Sequence, residues 1–481
     1  MTPEEFRAAA HTLVDWIADC RAKVYNGELP VLSANKPGDV RAALPAVPPE
    51  TPEPFDAVMR DLDSIILPGC THWQSPSFFG YFPSNSALAA VLGDLASTGL
   101  AQLGLNWQSS PALTELEEVT TDWLRQMLDL PEAFRGVIQG TASEATLVAL
   151  ICARERATGY AAARGGLQSA DKPLVVYVTA HSHSSVDKAA LLAGFGREQL
   201  RLVATDDAFA MDPDALEAAI RADLARGAQP CAVVATIGTT GTTAIDPVDA
   251  IGRIVHEHGL WLHVDGAMGG SAMILPECRK LWAGIERADS IVMNPHKWLG
   301  VSMDCSVYYV RDPEHLVRVM ATNPSYLKTG ADGEAVNFRD WGIPLGRRMR
   351  ALKLWFLIRE QGVAGLQARL RRDLTHARWF AAKVDAAGHW RRLAPAPLQT
   401  VCVRHEPPGL AGEALDAHTL DWVRRINASG RAYLTPSQLE GRWMARVSFG
   451  VEMTARGHVE ALWRLMRESA ERPVAEALAR L

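Results

Sequence analysis

Two residues near the middle of the chain have the types and the spacing for covalent chemistry with an aldehyde. Lys297 lies in the run Asn294-Pro-His-Lys-Trp298, and Asp265 lies 32 residues earlier, directly after the strand-like run Trp261–Val264. A lysine amine holds an aldehyde as a Schiff base and a carboxylate keeps a pyridine nitrogen protonated, which pyridoxal phosphate (PLP) requires. Alone, each residue is more often a surface charge or a helix cap. Together, at the carboxyl end of a strand, they predict a PLP site.

Small hydroxyl residues follow several of the same apolar runs. Gly140–Glu144 opens a helical segment, and its threonine and glutamate, three residues apart, match a capping box. The amino end of a helix attracts phosphate, although Thr141 alone is more simply explained as a cap. Gly238–Gly241 ends another run, and Ser290 and Asn294 bracket the run before Lys297. These groups predict the phosphate end of the same site.

Other cofactors and partners are not favoured. No GxGxxG motif opens a strand–helix unit, and the chain contains no Gly-Lys dipeptide and no HExxH motif. The seven cysteines form no CxxC pair, so we expect reduced thiols and no metal site. The net charge of −6 argues against nucleic acid, and no apolar run approaches the roughly 18 residues of a membrane span. The acidic start lacks the pattern of a signal peptide, so we expect a cytoplasmic protein.

The first 87 residues predict a helical arm rather than a domain. Residues 3–25 have the pattern of an amphipathic helix. Lys36–Phe55 contains six prolines and is expected to form neither helix nor central strand. Such an arm has no core of its own, so it must pack on the main body or on a second subunit.

Residues 88–355 predict a large α/β domain with a mainly parallel sheet. Short apolar runs alternate there with helix-length segments, and these runs are Val137-Ile138, Leu174–Val178, Leu200–Ala204, Cys231–Ile237, Trp261–Val264, Ser290–Met293 and Ser306–Val310. Residues 356–481 predict a smaller α+β domain, with a long helix, strands at Thr400–Arg404, Ala432–Thr435 and Met444–Phe449, and a last helix near Gly457–Arg472.

The motifs resemble those of one family along nearly the whole chain. They are Thr71–Trp73, Gly80–Pro83, Ser110–Glu117, Gln139–Ala145, His183–Val186, Ala235–Thr240, His263–Asp265, Asn294–Trp298, Tyr326–Lys328 and Ile343–Arg348. The chain resembles the group II PLP-dependent decarboxylases, in the aromatic-L-amino-acid decarboxylase branch. The resemblance implies fold-type I, as in aspartate aminotransferase. It also implies a homodimer with shared active sites and an N-terminal arm exchanged between subunits.

The resemblance also implies roles for individual residues. Lys297 is expected to be the Schiff-base lysine, Asp265 the partner of the pyridinium, His183 the imidazole that stacks on the ring, and Tyr326 the donor of a proton to Cα after CO2 leaves. The other expected cofactor contacts are Ala142, Ser143, Thr240, Ala267, Ser290, Asn294 and His296.

The same resemblance implies a pocket for an aromatic substrate. Its expected contacts are Trp73, Tyr81, Phe82, Pro83, Ser84, Leu103, Leu105 and Gly346. Glycine at 346 leaves room for a wide ring, whereas Leu103 and Leu105 depart from the isoleucine and phenylalanine of the animal enzymes. Tryptophan, 5-hydroxytryptophan, DOPA, tyrosine and phenylalanine all remain open as substrates, with the arylalkylamine and CO2 as products.

The sequence leaves other functions open, and two of them use the same scaffold. An aromatic aldehyde synthase oxidises the substrate, and in such relatives a phenylalanine replaces the tyrosine at 326. A decarboxylase of another amino acid, such as glutamate, is the second alternative, and an aminotransferase is a weaker third. A PLP-binding protein without catalysis would be expected to lack His183, Lys297 or Tyr326, and all three are present.

Overall fold

A computed structural model describes residues 1–322 and 333–471. The chain divides into two compact units. The large unit contains Ser84–Ala377 and Ala394–Val401, and the small unit contains Met1–Pro83, Arg378–Leu393 and the chain from Cys402 onward. The domain boundaries expected from the sequence, at 87/88 and 355/356, stay a prediction.

The N-terminal part of the small unit contains three α-helices within residues 1–83. Helix α1 (Pro3–Tyr25) starts where the sequence predicts, because Thr2 and Glu5 form a capping box and Pro3 occupies the first turn. Helices α2 (Asp39–Ala43) and α3 (Phe55–Asp61) follow. The expectation that Lys36–Phe55 contains no helix is therefore wrong for α2, which uses five consecutive residues without proline.

The large unit is built on a seven-stranded sheet. Its strands are β1 (Arg135–Gln139), β2 (Leu174–Thr179), β3 (Leu200–Val203), β4 (Gln229–Thr236), β5 (Trp261–Asp265), β6 (Ser290–Met293) and β7 (Ser306–Val310). They are arranged in the order β1-β7-β6-β5-β4-β2-β3, and only the pairs that involve β7 are antiparallel. This is the mainly parallel sheet that the alternating pattern predicts.

Helices of the large unit connect these strands and cover the sheet. They are α4 (Leu88–Leu100), α5 (Pro111–Met127), α6 (Ala142–Ala157), α7 (Ser185–Leu192), α8 (Pro213–Ala225), α9 (Val248–Glu257) and α10 (Pro313–Met320). Helix α11 (Ala351–Asp385) begins in the large unit and continues into the small one, with an interruption of helical geometry at Gly362. Helix α6 packs against the sheet with Ala145, Val148, Ala149 and Cys152 fully buried, so its start is held firmly at the sheet edge.

The C-terminal region carries a four-stranded sheet in the order β10-β11-β9-β8. Its elements are β8 (Trp390–Arg392), β9 (Thr400–His405), α12 (Gly412–Ala428), β10 (Thr435–Leu439), β11 (Arg442–Ser448) and α13 (Arg456–Ala470). Strand β10 begins where the predicted Ala432–Thr435 ends. It contains Pro436, which an edge strand tolerates although a central strand does not. Strand β8 has three residues, too few for an alternating pattern, and was not predicted.

Candidate active site

Asp265 and Lys297 meet at one edge of the large sheet. Asp265 ends β5, and Lys297 lies in the short turn Pro295–Leu299 that follows β6. Strands β5 and β6 are parallel neighbours, with Asp265 opposite Val292, so both chain segments leave the sheet at the same edge. The Asn294 N–H donates to the Ala267 carbonyl at 3.2 Å, which ties the two strand ends together.

The carboxylate of Asp265 is nearly buried and is oriented by its own loop. Its side chain accepts a hydrogen bond through Oδ1 from the Ala267 N–H at 3.0 Å, and the residue is 5% exposed. Its carbonyl accepts from the Ile237 N–H at 2.9 Å, at the end of the neighbouring strand β4. A carboxylate held in this way has a defined direction, and Ala267 beside it is small enough to leave space for a flat ring.

His183 lies between β2 and α7, close to both residues. Partial burial lowers the pKa of its imidazole, the negative charge of Asp265 opposes that shift, and the positive charge of Lys297 adds to it. The ring is therefore neutral near pH 7. It lies close enough to the Asp265 carboxylate and the Lys297 ammonium to interact electrostatically with both. The three predicted catalytic residues of the described chain share one electrostatic neighbourhood.

Hydrogen bonds define which nitrogen of His183 carries the proton. Nδ1 accepts from the Ser185 N–H at 3.1 Å and lies 2.7 Å from the Ser185 hydroxyl. A backbone N–H is always a donor, so Nδ1 has no proton and the proton of the neutral ring is on Nε2. His183 therefore presents an N–H donor on the side that faces away from Ser185.

The expected phosphate end offers an open helix terminus. Thr141 precedes α6 without a side-chain capping bond, and the Glu144 carboxylate accepts from the Gly140 N–H at 3.0 Å. The predicted capping box is therefore wrong, because the glutamate reaches one residue further back than such a box requires. Ala142 is buried at the start of the helix, whereas Ser143 is exposed there.

A second hydroxyl group stands at the end of β4. Thr240 is exposed, whereas Thr239 is fully buried and uses its hydroxyl oxygen to accept from the Ala244 N–H at 2.9 Å. Strands β1 and β4 both end at the edge where Asp265 and Lys297 emerge. Ser143, Thr240 and the start of α6 are thus the groups available to an anion at this edge.

Asn294 and His296 anchor the turn that carries Lys297. Asn294 Oδ1 accepts from the Ser306 hydroxyl at 2.6 Å, and His296 Nδ1 accepts from the Cys305 N–H at 3.0 Å. Burial lowers the pKa of His296 to about 4, so this ring is also neutral. Both side chains hold the turn against the segment that enters β7.

Ser290 lies at the other edge of the sheet. It begins β6 opposite His263, two residue positions before the level of Asp265. Its hydroxyl oxygen accepts from the Trp261 indole N–H at 2.9 Å and lies 2.9 Å from His263 Nδ1. The contact of Ser290 with the cofactor stays a prediction, and its buried hydroxyl is used inside the core.

Four of the eight expected aromatic substrate contacts lie in the small unit. Trp73 stacks on Tyr81 with ring centroids 5.4 Å apart. The Tyr433 ring lies 5.7 Å from that of Tyr81, and the Arg446 guanidinium lies 4.8 Å from the ring centroid of Phe82. Pro83 follows in the chain. Sequence reasoning missed Tyr433 and Arg446, for which the only signal is their place in or beside short apolar runs.

Two loops of the large unit bring Leu103, Leu105 and Gly346 near each other. The Gly104 N–H donates to the Arg347 carbonyl at 2.9 Å, and Leu103 forms an isolated β-bridge with Arg348. A methyl group at position 346 would meet no atom of residues 1–322 and 333–471 within 4 Å.

Gly346 also lines a cavity of about 230 Å³. Ser84, which begins the large unit, is partly exposed. Tyr326, the expected proton donor, lies outside the described residues.

Comparisons with known proteins decide the family. A model described as "Pyridoxal-dependent decarboxylase conserved domain" matches residues 37–405. The chain belongs to the pyridoxal-dependent decarboxylase family. Membership in this family confirms the predicted resemblance and makes PLP the cofactor.

Individual members of the decarboxylase family match almost end to end. The chain is 41% identical to "Tryptophan decarboxylase TDC2" of Camptotheca acuminata, over 98% of this chain and 95% of that protein. It is 39% identical to "Phenylacetaldehyde synthase" of Arabidopsis thaliana, over 98% and 96%. The structure of Oryza sativa TDC with PLP and tryptamine superposes with a TM-score of 0.94 at 38% identity, covering 98% of each chain. The predicted fold class is confirmed.

Among the described residues, no helix is long and apolar enough to cross a membrane.

Proposed function

We propose that the protein decarboxylates aromatic L-amino acids to the arylalkylamine and CO2. The observation that supports this most directly is the shared neighbourhood of Lys297, Asp265 and His183 at the carboxyl edge of the sheet. Each of these residue types has a distinct task in such a reaction.

The residues at this edge fit PLP. Lys297 would hold the aldehyde and Asp265 the ring nitrogen, with small Ala267 beside the ring. Ser143, Thr240 and the amino end of α6 would hold the phosphate, because exposed hydroxyls and helix N–H groups bind anions. When bound, PLP supplies an electron sink for the pair of electrons left by the departing CO2. Asp265 strengthens that sink by keeping a positive charge on the ring nitrogen.

His183 would act as a neutral donor. Its Nε2–H is the free donor, and its Nδ1 is engaged by Ser185. An imidazole with this tautomer stacks on a flat ring without adding a second positive charge, and it orients a substrate carboxylate through Nε2. Tyr326 is proposed as the group that returns a proton to the substrate carbon.

The substrate is proposed to be an aromatic amino acid, with tryptophan, 5-hydroxytryptophan, DOPA, tyrosine and phenylalanine as the set to be assayed. Named relatives at 39–41% identity act on tryptophan and tyrosine. The open space at Gly346 supports a wide ring.

We further propose a homodimer. Leu88, Leu92 and Leu95 lie on one face of α4 at helical spacing and are 43–51% exposed. Exposure of these three leucine side chains to water is unfavourable, and a second copy of the chain would cover them. The arm adds Phe6 and Val14, which are 56% and 43% exposed, in agreement with an arm that is exchanged between subunits. Leu103, at 57% exposure, is then available to the partner's site.

The cytoplasm is the proposed location. All seven cysteines are free thiols, five of them buried, as expected in a reducing compartment.

An aromatic aldehyde synthase is the second candidate, because a phenylacetaldehyde synthase is among the similar proteins. Tyr326 favours the decarboxylase, since phenylalanine is expected at this position in the synthases.

The test is a panel of the five amino acids, with amine, aldehyde and hydrogen peroxide measured as products. We expect amine and CO2 without peroxide. Lys297→Ala should abolish the covalent link to PLP, and Asp265→Asn should lower kcat by at least about a hundredfold, because it removes a charge held at the ring nitrogen. Lys280→Ala, a lysine outside the site, is the control. Hydrogen peroxide formed in an amount equal to the amino acid consumed, or full activity of Asp265→Asn, would overturn the proposal.

A further inference from the structure

In the turn that carries Lys297, the backbone carbonyls of Trp298 and Leu299 are not paired with N–H groups of a helix. Lys297 itself has φ −96° and ψ −107°, which interrupts the helical geometry of the turn. Trp298 and Leu299, which follow it, are fully buried. A buried carbonyl needs a hydrogen-bond donor, and here the backbone of the turn does not supply one. The position of the lysine therefore depends on whichever group satisfies these two oxygens.

Arg369 of α11 is that group. Its Nη1 donates to the Trp298 carbonyl at 2.9 Å, and its Nη2 donates to the Leu299 carbonyl. The next residue, Gly300, has φ +111°, and a Cβ atom built there would lie 3.0 Å from Arg369 Nη2. Glycine at 300 thus permits both the turn and the close approach of the guanidinium.

Asp373, one helical turn further along α11, holds the side chain of the same segment. Its Oδ2 accepts from the Trp298 indole N–H at 2.9 Å, and its Oδ1 accepts from Arg372 at 2.9 Å. The carboxyl is completely buried. Burial raises its pKa, and the charge of Arg372, the bond from Trp298 and the charge of Arg369 oppose that shift. Helix α11 therefore forms hydrogen bonds with two carbonyls and one indole of the turn.

We propose that Arg369 and Asp373 are positioning residues for the cofactor-binding amine of Lys297. This inference rests on the proposed function, in which the Lys297 nitrogen bonds to the PLP aldehyde carbon and water leaves. Asp265 holds the opposite end of the ring, so the amine has little freedom in where it meets the aldehyde. A displacement of the amine by about 1 Å in such an arrangement lowers the reaction rate on the order of a hundredfold. The hydrogen bonds of Arg369 and Asp373 to Trp298 and Leu299 prevent that displacement.

The test compares Arg369→Ala, Arg369→Lys and Asp373→Asn with Arg371→Ala. Arg371 is the control because it is also an arginine on α11, but it is 45% exposed and pairs with Glu277 instead of the turn. Each purified apoprotein is titrated with PLP at a temperature where thermal scans show it fully folded. The visible absorption of the linked cofactor gives Kd, and borohydride reduction followed by peptide mass analysis identifies the modified lysine.

We expect Arg369→Ala to weaken PLP binding at least about tenfold and Arg371→Ala to leave it unchanged. Arg369→Lys should recover part of the loss, because an ammonium reaches only one of the two carbonyls. If Arg369→Ala does not fold, Arg369→Lys and Asp373→Asn replace it. A Kd for PLP above the wild-type value in these variants then supports the inference. Wild-type Kd and absorption in the folded variants would overturn the inference. The proposed function fails separately, if wild-type protein shows no link at Lys297.

Discussion

Replacing Glu117 by glutamine removes the negative partner of a buried arginine in the loop that also carries Gly346. Glu117 on α5 is fully buried and accepts from Arg347 through both oxygens, at 2.9 and 2.6 Å. It also accepts from the Ile138 N–H at 2.8 Å, and Arg347 donates to the Ile138 carbonyl at 2.7 Å. Breaking a buried pair on one side costs about 3–5 kcal/mol. Glutamine keeps one acceptor oxygen, so we expect about 3 kcal/mol.

A double-mutant cycle measures this value. Urea unfolding of apoprotein gives the free energy of unfolding for Glu117→Gln, Arg347→Met and the double variant. The double variant should cost much less than the sum, because no unpaired charge remains. Arg348→Met is the matched control, since Arg348 pairs with Asp94 at the surface, where an ion pair contributes at most about 1 kcal/mol. A cost for Glu117→Gln no larger than that of the control would refute the reasoning.

The same variant is also expected to raise KM. The carbonyl of Arg347 accepts from the Gly104 N–H, between Leu103 and Leu105, and Gly346 precedes it directly. Loss of the pair would loosen both loops that are proposed to meet the substrate ring, while the imidazole of His183 is untouched. A rise in KM without a matching fall in kcat is therefore the expected kinetic result.

Tyr326→Phe should convert the amine product to aldehyde, ammonia and hydrogen peroxide, measured by product analysis; release of amine alone would contradict the role of this residue. Gly346→Ser should raise kcat/KM for tyrosine relative to tryptophan about tenfold, without loss of stability, because its Cβ meets no atom of the described part of the chain within 4 Å. Burial lowers the pKa of His263 and His296 to about 4, below the unfolded value near 6.5. Their contribution to stability is therefore present above pH 6.5 and is lost toward pH 4, by about 1.4 kcal/mol per unit for each histidine. A free energy of unfolding that stays constant between pH 6.5 and 4.5 would exclude this.

The sheet could be predicted from the sequence because its strands are short and continuous, and those at its centre are buried on both faces. Strand β2, for example, is buried at every position, and parallel strands covered by helices have this unbroken apolar pattern. The order of apolar runs and helices also indicates which ends of the strands carry function. The residue types and positions of Asp265 and Lys297 therefore predict a site by themselves.

The residues that position the site depend on contacts between distant parts of the chain. Ser290 shows the limit, since the sequence places it beside a strand, but only strand direction puts it at the opposite edge. Arg369 lies about seventy residues after the carbonyls that it holds, and in the sequence it is one arginine among several on a long helix.

Local pattern determines which residues form a strand and where the strand ends, because backbone sterics and apolar spacing act over a few residues. Only the folded chain decides which buried charge satisfies which buried oxygen, because that choice is made by packing.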